Sequence, residues 1–217
     1  MLRARAHGCR SLPQTRAADG EEIWFPRRDQ DACFSFRNLQ LLARLLIGVL
    51  RGQDILVLVR LLGEEPSLTI GRIAEPLGLD GASVHRSLRR LEEAQLLLPD
   101  RRVALAQTDE FLTHGLRYVF PGRFQGDSRG VETAWAAAPL RDLLTASNAV
   151  VPVWPYARGK VRGMALEPLH ASVPDAALRS PELHKRFALV DALRVGDARV
   201  RRVAREQLMA RAQANVR

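Results

Sequence analysis

The clearest hydrophobic pattern lies in the middle of the chain, where three short segments with a helical pattern precede two short apolar stretches. Residues 53–62 predict an apolar helix, which stops at Gly63 with Pro66 beyond it, as is typical of a helix end. A second helix is predicted over residues 68–79, where it also closes at a glycine, and a third over residues 82–95. Two helices joined by a tight turn, with another before them, indicate a helix-turn-helix.

The third predicted helix is amphipathic. Val84, Leu88 and Leu91 share one face of a helical wheel, which predicts that this face packs against the core. The opposite face is predicted to carry Ala82, Ser83, Arg86, Arg89 and Arg90. The pattern therefore indicates a helix with one apolar side and one side that bears three guanidinium groups.

Two short apolar stretches follow this helix within residues 96–105. They flank Pro99 and Asp100 and then Arg101 and Arg102, a spacing that predicts a small β-hairpin. A hairpin in this position is a wing beside the third helix.

The spacing within residues 68–91 resembles a known DNA-binding module. The run Leu-Thr-Ile-x-x-Ile-Ala-x-x-Leu-Gly-Leu-x-x-x-x-Val-His-Arg-x-Leu-x-x-Leu is similar to the winged helix-turn-helix of bacterial transcriptional regulators, of the IclR type and also of the MarR type. The resemblance covers residues 53–120. Gln95 departs from it, because the family usually has glycine where the third helix closes, and Pro76 is a second departure inside the preceding helix.

This resemblance implies that residues 82–95 enter the major groove of double-stranded DNA, with the first turn closest to the base edges. Arg86 is the candidate for a bidentate contact with guanine, and Ser83 and His85 can reach a base edge or a phosphate. Candidates for contact with the DNA backbone or minor groove are Thr69, Arg72, Arg89, Arg90, Arg101 and Arg102. The alternatives are a solvated arginine face and a histidine that caps a helix or borders the core.

Beyond the wing the pattern predicts more helix and some strand. Residues 108–118 have an apolar helical face, which in related regulators packs against a partner chain. We therefore expect a homodimer interface there, with packing inside the monomer as the alternative. Strands are predicted at residues 150–154 and 161–166, with long loops as the alternative, and a basic hairpin is predicted at residues 158–163.

The C-terminal part of the chain returns to helix. Two helices are predicted over residues 180–214, beginning at Pro181 and Asp197, and this helical hairpin is a candidate for binding a protein partner or for stabilising a dimer. The predicted fold class is mainly α with a small β-wing, in which a winged helix-turn-helix domain precedes a C-terminal region of loops, short strands and a helical hairpin. The predicted divisions are an N-terminal extension (1–38), the winged-helix domain (39–120), a connecting region rich in proline and glycine (121–181) and the hairpin (182–217).

The N-terminal extension has no apolar period. Residues 1–38 are rich in arginine and alanine with scattered glycine and proline, which predicts disorder. An organellar transit peptide and a start codon assigned too early are the alternatives. The apolar run over residues 39–50 contains Arg44 and is shorter than the roughly 20 residues of a membrane helix, so no membrane span is predicted.

The charge of the chain is unevenly distributed. The net charge is +9, yet residues 53–120 contain 8 basic and 10 acidic residues, whereas residues 121–217 contain 16 basic and 9 acidic ones. The positive charge of the helix-turn-helix region is concentrated on its third helix and the arginine pair behind it, which favours an element that faces a DNA groove. The slightly acidic total of the same region favours a winged helix that binds protein instead.

No catalytic residue, cofactor or metal site is predicted. The five histidines and two cysteines lack the spacing of metal ligands, and the chain has no phosphate loop, GxGxxG or nucleophile elbow. The functional prediction is a non-enzymatic, cytoplasmic and nucleoid-associated transcriptional regulator that binds specific double-stranded DNA. The alternatives are a protein-interaction winged helix acting as the control subunit of a two-gene system, and a subunit of a nuclease or modification enzyme.

Overall fold

The computed structural model describes residues 50–64, 67–144 and 150–214. The predictions for residues 1–38 and, apart from Leu50, for the helix over residues 39–50 lie outside these ranges. The described chain begins with the helices α1 (Gly52–Leu61), α2 (Ile70–Leu77) and α3 (Gly81–Glu93). These three helices are confirmed, since every boundary lies within two residues of the predicted one.

The turn between α2 and α3 follows from residues that favour helix ends. Gly78 closes α2 in the left-handed region at φ 65°, which glycine adopts without steric cost. Asp80 then starts α3, since its carboxylate accepts a hydrogen bond of 2.7 Å from the Ser83 amide. The helix-turn-helix geometry is thus determined by neighbouring residues.

The predicted wing consists of a single β-bridge between two residues. Among the described residues, Leu97 and Val103 form an isolated antiparallel bridge, and the Leu98 amide donates to the Arg102 carbonyl at 2.8 Å. The turn between them includes Arg101 in the left-handed region at φ 65°, and a proline that has no amide proton to donate. The hairpin turn therefore forms as predicted, but its strands are shorter than predicted.

The helix after the wing belongs to the core of the chain. It consists of α4 (Leu105–Glu110), a π-helical turn (Phe111–Gly115) and α5 (Leu116–Val119). Leu112 and Leu116 are buried and belong to the same core as the C-terminal helices. The apolar face that was expected at a dimer interface therefore packs inside the monomer, because the C-terminal part of the chain folds back and covers it.

Three strands follow and form a small closed barrel: β1 (Phe124–Glu132), β2 (Pro152–Pro155) and β3 (Val161–Leu166). β1 pairs antiparallel with both other strands, and β2 pairs with β3 in parallel. The two predicted strands are confirmed, whereas β1, which is mostly exposed, is not predicted by the hydrophobic pattern. The predicted hairpin over residues 158–163 is wrong, since strands joined by a hairpin run antiparallel.

The connection from β2 to β3 crosses over β1 at two glycines. A Cβ atom on Gly159 would lie 2.2 Å from the backbone of Gly130, and one on Gly130 would lie 2.0 Å from the carbonyl oxygen of Trp154. Only residues without a side chain permit this approach. The crossing carries the chain from one side of β1 to the other, and β3 can then run parallel to β2.

The remaining elements include the central helix of the fold, α8 (Pro181–Val195), and the elements that pack around it. They are a 3₁₀ turn (Ala134–Ala136), α6 (Leu140–Leu143), α7 (Val173–Arg179), α8 (Pro181–Val195) and α9 (Ala198–Ala214). The predicted C-terminal helical hairpin is confirmed as α8 and α9, while α6 and α7 are not predicted. The fold class is confirmed as mainly α with a small sheet. Within the described ranges, no helix has the length and apolar character needed to cross a membrane.

Buried polar residues connect α8 to the barrel and to the segment after the wing. Asp191 accepts hydrogen bonds from Trp154 Nε1 at 2.5 Å and from the Thr133 hydroxyl at 3.0 Å. Arg194 donates to the carbonyl oxygen of Phe120 at 2.9 Å. The barrel, the post-wing helix and α8 therefore share one core.

Candidate nucleic-acid interface

One face of α3 packs against the other two helices of the helix-turn-helix. Val84 and Leu91 are fully buried and Leu88 is nearly so. Through this face α3 contacts both α1 and α2. The predicted apolar face is confirmed, and its packing holds the opposite face in a set orientation.

Arg90 does not lie on the exposed face, and this part of the helical-wheel prediction is wrong. Its guanidinium donates two hydrogen bonds to the Asp54 carboxylate, from Nε to Oδ2 at 2.8 Å and from Nη2 to Oδ1 at 2.6 Å. The Asp54 side chain is 0% exposed and that of Arg90 is 15% exposed. The hydrogen bonds that Arg90 donates to Asp54 raise the pKa of Arg90 above its ordinary value. Arg90 therefore holds α3 against α1, because a buried carboxylate needs a paired cation.

A second polar contact joins the same two helices. Gln53 Nε2 donates to Ser87 Oγ at 3.0 Å and to the Ser83 carbonyl at 3.5 Å, and Ser87 is fully buried. The sequence pattern does not single out Gln53 or Asp54 as part of the site. One signal in the sequence could have identified the contact. Asp54 is a lone carboxylate at the start of an apolar helix, and because that helix is predicted to be buried, the charge of Asp54 requires a partner.

The first turn of α3 carries a chain of polar contacts on its exposed side. Ser83 Oγ donates to Asp80 Oδ2 at 2.6 Å, and Arg86 Nη2 donates to Ser83 Oγ at 2.9 Å. The hydroxyl and then the amide of Ser83 lower the pKa of the Asp80 carboxyl. Ser83 is partly buried, whereas His85 and Arg86 are exposed. Ser83 therefore orients Arg86, and the exposed polar side chains in the first two turns of α3 are those of His85 and Arg86.

Two further candidates form exposed ion pairs within the chain. Arg89 Nε lies 3.1 Å from Glu93 Oε1, and Arg102 Nε lies 2.5 Å from Asp100 Oδ2. The side chains of Arg89 and Arg102 are 77% and 65% exposed. Exposed pairs of this kind contribute at most about 1 kcal/mol, so a phosphate can replace the carboxylate at little cost.

The remaining candidates lie at the start of α2 and in the wing turn. Thr69 caps α2, since its hydroxyl accepts a hydrogen bond from the Arg72 amide at 3.4 Å, and both residues are exposed. Arg101 is partly buried within the turn. The structure thus brings Ser83, His85, Arg86 and Arg89 together on α3, while Thr69, Arg72, Arg101 and Arg102 belong to two other elements.

The chemistry of this face is that of cations and hydrogen-bond donors. In the part of the chain that the structure describes, no three histidine, cysteine, aspartate or glutamate side chains gather where they can hold a metal ion. The candidate side chains carry guanidinium, imidazole and hydroxyl groups, which suit phosphate oxygens and base edges.

Residues 49–101 match the family of the IclR helix-turn-helix domain. The matched range contains α1, α2 and α3 and ends in the wing turn. Neither the comparison with curated proteins nor that with solved structures returned a match. The predicted IclR resemblance is confirmed over the matched range, which ends at residue 101 rather than at 120, and this segment is similar to the helix-turn-helix of that family.

Proposed function

We propose that the chain is a transcriptional regulator that recognises a specific sequence in double-stranded DNA by inserting α3 into the major groove. One observation supports this above the others: Arg90 and Asp54 clamp α3 to α1, while the opposite face presents exposed side chains. Those side chains are His85, Arg86 and Arg89. A fixed helix with an exposed arginine near its N-terminal end, as Arg86 is here, has the geometry by which helix-turn-helix proteins read base edges. The activity belongs at the chromosome in the cytoplasm and uses no cofactor.

Arg86 is the proposed base-reading residue. Its hydrogen bond to Ser83 Oγ uses one N–H group and orients the guanidinium, so the other N–H groups are available for DNA. Arginine donates two parallel hydrogen bonds to O6 and N7 of guanine, which contribute about 1–3 kcal/mol of discrimination against other bases. His85, one residue earlier, is the proposed second contact, to a base edge or a phosphate.

Phosphate contacts are proposed for the residues around this turn. Arg89 and Arg102 exchange their exposed carboxylate partners for phosphate, and the other members are Thr69, Arg72, Ser83 and Arg101. Arg90 is left out of this set, because its Nε and Nη2 donors are held by the buried Asp54 carboxylate. Its part in DNA binding is to keep α3 in place.

Selection of bound sequences from a pool of randomised duplexes tests the proposal and identifies the operator in the same experiment. A duplex from the upstream region of the gene and a scrambled duplex are then compared with the selected one by fluorescence anisotropy at two salt concentrations. Wild-type protein is expected to enrich one sequence, and Arg86→Ala is expected to lose about 1–3 kcal/mol of preference for it. The matched control is Arg199→Ala, which removes an exposed arginine from α9 and is expected to leave the preference unchanged.

Two results would contradict the proposal. One is the absence of any enriched sequence, with equal binding to native and scrambled duplexes. The other is an enriched sequence whose recognition is the same in the Arg86→Ala variant, which would remove α3 from the groove.

A second candidate function, the binding of a protein partner by the winged helix, is favoured by the acidic surroundings of the α3 face. Glu93 and Asp100 pair with Arg89 and Arg102, and residues 53–120 contain 10 acidic and 8 basic residues. The wing, which contains a single β-bridge, also offers little surface to a minor groove. The salt dependence of duplex binding separates the two functions. A DNA-binding protein releases close to one counterion for each phosphate contact, so its affinity for DNA falls steeply as salt rises. A protein-binding module has no such salt-dependent affinity for a duplex.

A further inference from the structure

An apolar patch lies on the outside of the barrel. Phe124, Val150, Val151 and Met164 are 36–40% exposed, and they are four of the eight large hydrophobic residues that are exposed in the described ranges. Trp135 connects two of them, since its ring centroid lies 6.3 Å from that of Phe124 and its Nε1 donates to the Val150 carbonyl at 2.9 Å. Exposed apolar side chains that lie together, rather than singly, mark an interaction surface.

The patch borders a groove that carries one charge of each sign. The groove has a volume of ≈ 320 Å³, and its lining includes Val150, Val151 and Met164 together with Asp127 and Arg162. Arg162 Nη2 lies 2.8 Å from Asp127 Oδ2, and the two side chains are 74% and 60% exposed. Because the pair is solvent-exposed, its partners can be exchanged for those of another molecule at little cost.

We propose that this barrel surface is the interface between two copies of the chain. A twofold axis brings the same surface of both copies together, so that Arg162 of each copy meets Asp127 of the other while the apolar side chains meet around them. Charged groups that meet across such an axis must be of both signs to attract each other, and this surface carries one of each. DNA is uniformly anionic and would oppose Asp127 with phosphate, so the groove suits a second copy better than nucleic acid.

The rest of the fold is consistent with this location. The post-wing helix does not offer an apolar face, since Leu112 and Leu116 are buried inside the chain. The patch lies outside residues 49–101, so pairing through it uses residues other than those proposed to contact DNA. The interface itself does not depend on the proposed function. Only its biological role rests on that function, because a dimer presents two recognition helices to two half-sites of DNA.

Sedimentation velocity of the full chain without DNA, over a wide concentration range, tests the interface directly. Wild-type protein is expected to dimerise, and Met164→Asp is expected to weaken dimerisation by more than about tenfold, because it places a charge in the apolar centre beside Asp127. Leu178→Asp is the matched control, since Leu178 is 49% exposed on α7 and outside the patch. Circular dichroism of each variant verifies that it is folded.

A charge-reversal mixture tests whether the two charges pair between copies. Asp127→Arg alone and Arg162→Asp alone are each expected to be monomeric, because like charges then meet across the axis. Mixing the two variants is expected to restore a dimer, since each contact across the axis again joins opposite charges. Pairing within one chain cannot produce this rescue, because both charges on each variant chain have the same sign.

A monomeric wild type at all concentrations would overturn the proposal, as would a dimer that Met164→Asp leaves intact or a mixture that does not dimerise. These outcomes are distinguishable from failure of the proposed function. Sequence selection and the effect of Arg86→Ala are measured on DNA, and a monomer that still reads a single half-site keeps the function while losing this interface.

Discussion

Arg186 of α8 donates a hydrogen bond to the carbonyl oxygen of Leu62 at 2.7 Å and another to that of Val59 at 3.2 Å. These carbonyls lie at the end of α1, where helix geometry leaves the last C=O groups without partners. Arg186 is 124 residues away from Leu62 along the chain, and its side chain is 8% exposed. The C-terminal region therefore supplies hydrogen-bond donors to the end of the first helix of the helix-turn-helix.

Replacing Arg186 with methionine is expected to destabilise the whole described fold. Arg186→Met keeps most of the apolar stem but leaves the α1 carbonyls buried without a donor, which costs about 2–4 kcal/mol. Urea unfolding followed by circular dichroism measures the change. Lys185→Met is the control, since the neighbouring Lys185 side chain is 41% exposed, and a loss as large in the control would refute the capping role.

The clamp between α1 and α3 predicts opposite behaviour for two adjacent arginines. Arg90→Met leaves the fully buried Asp54 carboxylate unpaired and is expected to cost about 3–5 kcal/mol, whereas Arg89→Met, at a side chain 77% exposed, is expected to change stability by less than about 0.5 kcal/mol. Adding Asp54→Leu to Arg90→Met is expected to recover stability, because it removes the unpaired charge.

The same pair of variants separates stability from DNA contact. Arg89→Met is expected to reduce the number of counterions released on duplex binding by close to one, because it removes one phosphate contact. This number is obtained from the slope of the logarithm of the affinity against the logarithm of the salt concentration. Arg90→Met, measured at a temperature where it is folded, is expected to leave that salt dependence unchanged. The reverse assignment would show that Arg90 leaves Asp54 to reach DNA.

Gln95 adopts a backbone conformation that favours glycine. Its φ is 59°, in the left-handed region just after α3, where a side chain adds steric strain. Gln95→Gly is expected to raise the free energy of unfolding by about 0.5–1 kcal/mol. Gln107→Gly, inside α4, makes the same chemical change in right-handed helix and is expected to lower it by about 1 kcal/mol; thermal unfolding of both variants should therefore show shifts of opposite sign.

The contact between α9 and α4 predicts a loss of stability in acid. Arg205 Nε donates to Asp109 Oδ1 at 2.7 Å, and this interaction lowers the pKa of the Asp109 carboxyl below its ordinary value of 3.8. A lowered pKa means that the folded state binds fewer protons than the unfolded state, so the contribution is complete above the ordinary pKa and is lost as pH falls through the folded pKa.

Urea unfolding at a series of pH values measures this dependence. Asp109→Asn is expected to be less stable than wild type at neutral pH and to show a shallower decrease in acid. Arg205→Gln should flatten the same part of the curve, and combining the two should add little. An acid profile of Asp109→Asn that is parallel to that of wild type would refute the assignment.

The helix-turn-helix could be predicted from the sequence because its signals are local. Gly63 and Gly78 end helices, Asp80 begins one, and the spacing of Val84 and Leu88 sets the buried side of α3. Helical period and capping involve residues within a few positions of one another, so their order along the chain is sufficient. The exposure of Arg86 follows from the same period.

Contacts between distant positions decided the rest. Arg90 lies on the polar side of the helical wheel, yet it turns to Asp54, 36 residues earlier. The strand β1 has no apolar alternation, and α8 has no single apolar stripe, because one is largely exposed and the other is buried on nearly all sides. The direction of β3 depends on the crossing at Gly130 and Gly159. Only the tertiary structure determines these features, since the free energy of burying a charge or pairing a strand depends on which distant segment it meets.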